Sequence, residues 1–244
     1  MTIQTAPDDA LPGVHPSPNI QSAPDVYEIE NRAADPDGRV EAAMASIAPW
    51  QGKVVLDLGA GTGFHVPRFH ALARHVVAVE PHAASRLRAM ARVAGLGLER
   101  ASVVMGSAEA IPLPDASVDV THARFAYFFG PGCEPGLAEL ERVMRPGGTA
   151  FGIDNDLRTG TFAHWLRQDP NWAGIDPTAL ESFWAGQGFK QHRVASIWRF
   201  ERREDLEAVV RLEFPAPLAE RILDEHHDLA VDYHFNLFYR RYAA

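Results

Sequence analysis

The chain has 244 residues, 46% of them hydrophobic, with a single cysteine and a formal net charge of -9. That length and apolar content suit one large α/β domain with a substantial core. The acidic balance argues against nucleic acid as the main partner, because phosphate binding needs a basic footprint. With only Cys133 present no intramolecular disulfide can form, which fits a reducing cytoplasm, and no run approaches the ~20 apolar residues of a membrane span or the basic-then-apolar pattern of a targeting signal.

Pro7, Pro12, Pro16, Pro18 and Pro24 fall in residues 1–24, which contain few large apolar groups, so a flexible or extended tail is expected there. A single domain follows over 25–244. Its first part, 25–52, reads as cap helices: a short one from Tyr27 to Ala34, and a second opened by Asp35-Pro36 with Val40, Met44 and Ile47 on one face. From Val54 an unbroken apolar run ends in Asp57 and Leu58, the pattern of a strand buried on both faces of a parallel sheet. Gly59-Ala60-Gly61-Thr62-Gly63 follows. Three glycines leave backbone N–H groups bare at the start of a helix, a cradle for the polar part of a nucleotide-like cofactor. The spacing is G-x-G-x-G, with Phe64 where a dinucleotide fingerprint needs its third glycine, and no Walker G-K-[ST] ending occurs, so a pyrophosphate loop is disfavoured. A helix to about Ala73 buries Val66 and Phe69. The next strand, His75 to Val79, ends at Glu80-Pro81, about twenty positions beyond the first glycine, where a carboxylate can accept from both ribose hydroxyls.

Asp57 through Gly63 resembles motif I of the class I S-adenosylmethionine-dependent methyltransferases, and Glu80 after Val-Val-Ala-Val resembles the second motif; the likeness is to the small-molecule, type 11-like members. The resemblance implies a Rossmann-like, mostly parallel seven-strand sheet of order 3-2-1-4-5-7-6 with helices on both faces. It implies S-adenosylmethionine as cofactor, its methionine part in the glycine loop and its amino group oriented by Asp57. It also implies N-terminal helices lying over the cofactor, with Tyr27 and Asn31 either lid residues or packed side chains of a capping helix.

Further along, a helix from His82 to about Val93 leads to a third strand, Ser102 to Met105, and to Gly106-Ser107-Ala108-Glu109 before a proline-rich turn. This segment resembles the family's adenine loop, except that Ser107 stands where an Asp commonly accepts from the adenine amino group. Strand four, Val118 to Ala123, exits through Arg124 and the aromatic stretch to Phe129. The cofactor set implied is therefore Asp57, Gly59, Ala60, Gly61, Thr62, Gly63, Glu80, Pro81, Ser107, Ala108, Glu109 and Ala123. Strand ends on this side of a doubly wound sheet open into the ligand crevice. His122 is accordingly a candidate general base or a packed strand histidine, while Arg124 and Tyr127 are candidate substrate contacts.

The core, 53–156, closes with a helix from Glu134 to Met144, Arg145-Pro146-Gly147-Gly148 as the turn before strand five, and Thr149 to Ile153 as that strand. Asp154 and Asp156 at its end either hold a substrate amine or proton, or cap the helix near Thr161. The remainder, 157–244, alternates helices with two longer strands, Arg193 to Phe200 and a last one in which Val231, Tyr233, Phe235, Leu237 and Tyr239 alternate. His226, His227 and His234 lack metal-site spacing, so no metal is expected. Methyl transfer to a small molecule is the expected function. A nucleic-acid methyltransferase, a non-catalytic cofactor-binding protein and, last, a nicotinamide-dependent oxidoreductase are the alternatives.

Overall fold

A computed structural model describes residues 11, 12 and 14–243. In chain order the elements are α1 (Pro18–Ser22), α2 (Pro24–Ala33), α3 (Arg39–Ile47), β1 (Val54–Leu58), α4 (Val66–His70), β2 (His75–Val79), α5 (Ala83–Gly95), β3 (Ala101–Val104), β4 (Val118–Arg124) and α6 (Glu134–Val143). They continue as β5 (Met144–Asn155), α7 (Thr161–Leu166), α8 (Pro177–Gly186), β6 (Lys190–Val194), β7 (Ile197–Arg199), α9 (Arg203–Glu213), α10 (Ala216–Glu225), β8 (Ala230–Asp232) and β9 (Phe235–Arg241). Seven strands form one sheet in the order β3-β2-β1-β4-β5-β9-β6, with β7 and β8 as a separate pair. This is the expected Rossmann-like sheet. Its seventh strand is ninth in the chain because each of the two long strands read from sequence is broken once.

The breaks have local causes. Between β6 and β7, the Ser196 hydroxyl donates to Asp35 Oδ1 at 2.5 Å and the Ile197 carbonyl accepts from the Asp35 amide at 3.0 Å. Between β8 and β9, the His234 carbonyl accepts from the Asp156 amide at 2.9 Å. Side-chain alternation cannot reveal where a ladder's backbone groups are drawn off by other segments.

The chain divides into two compact units: residues up to Pro16, Trp50–Ala150 and from Tyr242, and Ser17–Pro49 with Phe151–Arg241. In the first, β1 pairs in parallel with both β2 and β4, and β2 with β3. Val55, Leu56 and Leu58 of β1 are buried, as a strand covered on both faces requires, and Val66 and Phe69 of α4 and Leu137, Leu140 and Val143 of α6 are buried with them. Arg142 of α6 bonds the carbonyls of Ile111 and Leu113, both at 2.8 Å, and so pins the segment after β3.

In the second unit β6 and β9 are antiparallel, and Phe162, Trp198 and Tyr233 form an aromatic core with ring centroids 4.4–4.8 Å apart. Of the tail expected over 1–24, residues 1–10 and 13 lie outside the described residues. Pro18–Ser22 is helical instead of extended, with proline in its first turn and the Asn19 side-chain Nδ2 donating to Glu213 Oε1 at 2.5 Å. Asp35 takes a left-handed conformation (φ 55°), and its carboxylate accepts from the amides of Arg39 and Val40 at 3.0 and 2.8 Å, capping α3 from across a turn instead of from the adjacent position.

Candidate active site

The glycine loop is shaped by hydrogen bonds to the end of β2. The amides of Gly59 and Ala60 both donate to the Val79 carbonyl, at 2.9 and 3.0 Å, and the Gly61 amide donates to Glu80 Oε2 at 2.8 Å. Gly59, Gly61 and Gly63 all have positive φ, 72°, 56° and 75°, which a side chain would strain. Gly59 has a second reason to be glycine: a Cβ there would lie 2.4 Å from the Cβ of Ala126, so the chain leaving β4 crosses directly over the loop. At Gly63 a Cβ would meet Ala89 of α5 at 3.1 Å.

Glu80 is buried, and its second oxygen accepts from the His82 amide at 2.8 Å. Burial pushes its carboxyl above the ordinary value, opposed by those two amide bonds. Each carboxylate oxygen takes more than one donor, so both retain capacity for a ribose hydroxyl. Pro81 shares with Glu80 the carbonyl clamp of Arg86, at 2.6 and 2.9 Å. Thr62, at the loop's far side, is buried and its carbonyl accepts from Arg92 at 3.0 Å.

In the segment after β3, Ser107 and Ala108 are buried and Ser107 bridges to Ala110. The Ser107 hydroxyl donates to the carbonyl of Pro12, so the residue that replaces the family's adenine-reading Asp is already engaged by the N-terminal segment. Glu109 accepts from the Tyr127 hydroxyl at 2.6 Å, and burial with that bond raises the Tyr127 pKa. His15 lies against the Tyr127 ring at 5.8 Å. None of these three contacts has a signal in sequence spacing.

Ala123, buried, is followed by half-buried Arg124, whose guanidinium lies 5.5 Å from the Phe125 ring centroid. Phe125 and Tyr127 are left-handed, φ 51° and 59°, a conformation that costs about 1–3 kcal/mol for a non-glycine residue and clusters at functional sites. His122 is 2% exposed, and its Nδ1 stands 2.8 Å from Asp57 Oδ1. The two residues are register partners on β4 and β1, and the rings of His65 and Phe69 flank the histidine at 5.0 and 4.9 Å. Its ring is thus held within the strand-and-helix layer.

The remaining sequence-predicted residues belong to the second unit. Tyr27 is half-buried on α2, as is Asn31. Asp154 is buried, its carboxylate accepts from the Asn155 amide at 2.7 Å, and burial pushes its pKa up to about 7. Asp156 accepts from the Arg158 amide at 3.0 Å and the Thr159 hydroxyl at 2.5 Å, bracing the turn before α7. The N-cap of α7 is Gly160, so neither aspartate caps that helix. Among the described residues no group of three or more histidine, cysteine and acidic side chains is placed to hold a metal, and no helix is long and apolar enough to cross a membrane.

A G-x-G-x-G turn between a buried strand and a helix, tied to a strand-end carboxylate, defines a Rossmann-like protein built for a nucleoside-bearing cofactor without a dinucleotide's pyrophosphate. A family model described as a methyltransferase domain matches residues 55–148. The chain is 34% identical over 165 residues to the ubiquinone/menaquinone biosynthesis C-methyltransferase UbiE of Rubrivivax gelatinosus, a match covering 67% of this chain and 62% of that one. It is 35% identical over 97 residues to the malonyl-acyl-carrier-protein O-methyltransferase of Yersinia pestis, covering 40% and 34%. Among solved structures, the YcgJ protein of Bacillus subtilis matches with a TM-score of 0.61 at 18% identity over 83% of this chain and 97% of that one, a likeness of fold. These matches support a methyltransferase domain of the class I S-adenosylmethionine-dependent kind over residues 55–148, and the chain spans less than two thirds of the length of these curated relatives.

The residues present fit that family's cofactor. Asp57 Oδ2 is buried and has no hydrogen-bond partner among the described residues, an acceptor ready for an ammonium group. Glu80→Ala removes a charged acceptor worth about 1.5–3 kcal/mol, so calorimetry with S-adenosylhomocysteine should show affinity falling roughly ten- to a hundredfold; an unchanged affinity would contradict the ribose role. Asp154 makes a different prediction. Its folded pKa, about 7 against an ordinary 3.8, means that its protonated form stabilises the fold, a contribution present in acid and lost as pH rises through about 7. Urea midpoints of Asp154→Asn should therefore match wild type near pH 4 and exceed it increasingly towards pH 8, and a pH-independent difference would refute the assignment.

Proposed function

We propose that this protein transfers the methyl group of S-adenosylmethionine to a small, partly apolar acceptor that carries an acidic group. The observation that supports this reading is the exit of β4: Arg124 stacked beside Phe125 and followed by Tyr127, a cation within an aromatic surface at the strand end that in this fold opens on the ligand crevice. A planar, permanently charged guanidinium matches a carboxylate or similar anion, and the aromatic rings match an apolar body. The relatives' names fit acceptors of this kind without fixing one: quinone biosynthesis on one side, malonyl-acyl-carrier protein on the other. A net charge of -9 disfavours a nucleic-acid acceptor.

The cofactor supplies a methyl group that is already electrophilic on its sulfonium. The protein's task is then to hold a nucleophile in line with it, and positioning of that kind supplies several kcal/mol on its own. In this reading His122 is not the general base, since its ring is buried and committed to Asp57. The acceptor reacts in an already ionised form, for which a protein base is superfluous.

The test is to incubate the protein with S-adenosylmethionine and a metabolite extract, identify by mass spectrometry the acceptor that gains one methylene, and repeat with Arg124→Met. The expected result is an acidic acceptor whose KM rises at least about tenfold in the variant, while S-adenosylhomocysteine affinity stays within about twofold. Methyl incorporation into an RNA fraction, binding to which weakens steeply with salt, or a cationic acceptor indifferent to Arg124, would overturn the proposal.

A further inference from the structure

The pair formed by Asp57 and His122 does something that neither residue does alone. Asp57 is the last polar side chain before the glycine loop, and its carboxylate has two unlike oxygens: Oδ1 bonded to His122 Nδ1 at 2.8 Å, and Oδ2 buried without a partner among the described residues. An ionised carboxylate only accepts, so His122 Nδ1 carries the proton and donates. The histidine cannot swing away, because His65 and Phe69 close on its ring and the β1–β4 ladder fixes its register against Asp57. One oxygen is thereby engaged by a buried donor, which sets the plane of the carboxylate and leaves Oδ2 as the acceptor still without a donor among the described residues. A buried, unpaired carboxylate oxygen is costly unless a donor completes it.

Resting on the S-adenosylmethionine reading of the loop, we propose that His122 is a positioning residue for the cofactor's amino-acid end: it orients Asp57 so that Oδ2 receives the cofactor's α-ammonium group. The role is selective by construction. It acts on a ligand that brings that ammonium group and is indifferent to the adenosine part, which Glu80 and the segment after β3 would hold. Affinity for S-adenosylhomocysteine then depends on His122, and affinity for 5′-methylthioadenosine, which has the same nucleoside and thioether without the amino acid, does not.

The experiment is calorimetry of both ligands with wild type, His122→Leu, His122→Asn and Asp57→Asn. His122→Leu should weaken S-adenosylhomocysteine about tenfold or more and leave 5′-methylthioadenosine within about twofold. His122→Asn, which keeps an N–H donor near the place of Nδ1, should recover most of the loss. Asp57→Asn should reproduce the selective loss, and adding His122→Leu to it should cost little more, because the two residues act as one unit. Equal weakening of both ligands would show a merely structural histidine and overturn the proposal, as would an unchanged affinity for S-adenosylhomocysteine. If His122→Leu does not fold, Asp57→Asn with and without His122→Asn carries the same comparison. Wild-type protein that bound neither ligand would instead overturn the cofactor reading beneath the proposal.

Discussion

The amide of Gly61 donating to the carboxylate of Glu80 is the bond on which the site depends. It joins the glycine turn to the end of the neighbouring strand, and the Val79 carbonyl, taking both Gly59 and Ala60, completes the clamp. A turn with three left-handed residues has no ladder of its own to hold it, so its curvature is set by these acceptors. Burial of Glu80 is the cost of the arrangement. The carboxylate leaves water, its pKa rises, and the two amide bonds that oppose the rise are the same bonds that shape the loop. In the proposed reading, structure and ligand recognition use one group.

The exit of β4 is fitted to that turn. Ala126 crosses so close to Gly59 that any side chain at position 59 would collide with it, and the residues on either side of Ala126, Phe125 and Tyr127, are both left-handed. Strain of this kind persists only where the surroundings over-determine it. Here the restraints are visible: Tyr127 is tied to Glu109 by its hydroxyl, and its ring packs edge-on against Phe128 at 5.2 Å. The aromatic surface that would meet an acceptor is thus braced against the segment after β3.

Much of this was legible in the sequence, and the reason is that the legible parts are local. Val54 to Leu58, the glycine spacing and Glu80 at the next strand's end are set by short-range rules of burial, turn geometry and strand length, and the parallel sheet follows from alternating strands and helices. What the sequence did not disclose involves partners distant along the chain. Asp57 and His122 are 65 positions apart and meet only because β1 and β4 are neighbours in register. Ser107 could be seen to depart from the family's acidic residue, but not that its hydroxyl would find the Pro12 carbonyl. The alternation from Val231 to Tyr239 reads as one strand, whereas the chain breaks at Tyr233 and His234, where the Tyr233 hydroxyl bonds Asn155 at 2.8 Å and the His234 carbonyl takes the Asp156 amide. Aspartates 154 and 156 illustrate the same limit, since proximity at a strand end does not tell a buried carboxyl with a raised pKa from a turn-bracing one.

The central claim is that the loop from Asp57 to Gly63 and the carboxylate of Glu80 together receive S-adenosylmethionine. A crystal structure of the protein with S-adenosylhomocysteine tests it most directly. The account predicts one ligand along the loop, with both ribose hydroxyls on Glu80 and the α-ammonium group on Asp57 Oδ2. A ligand seated elsewhere, or ribose hydroxyls that do not meet Glu80, would contradict it.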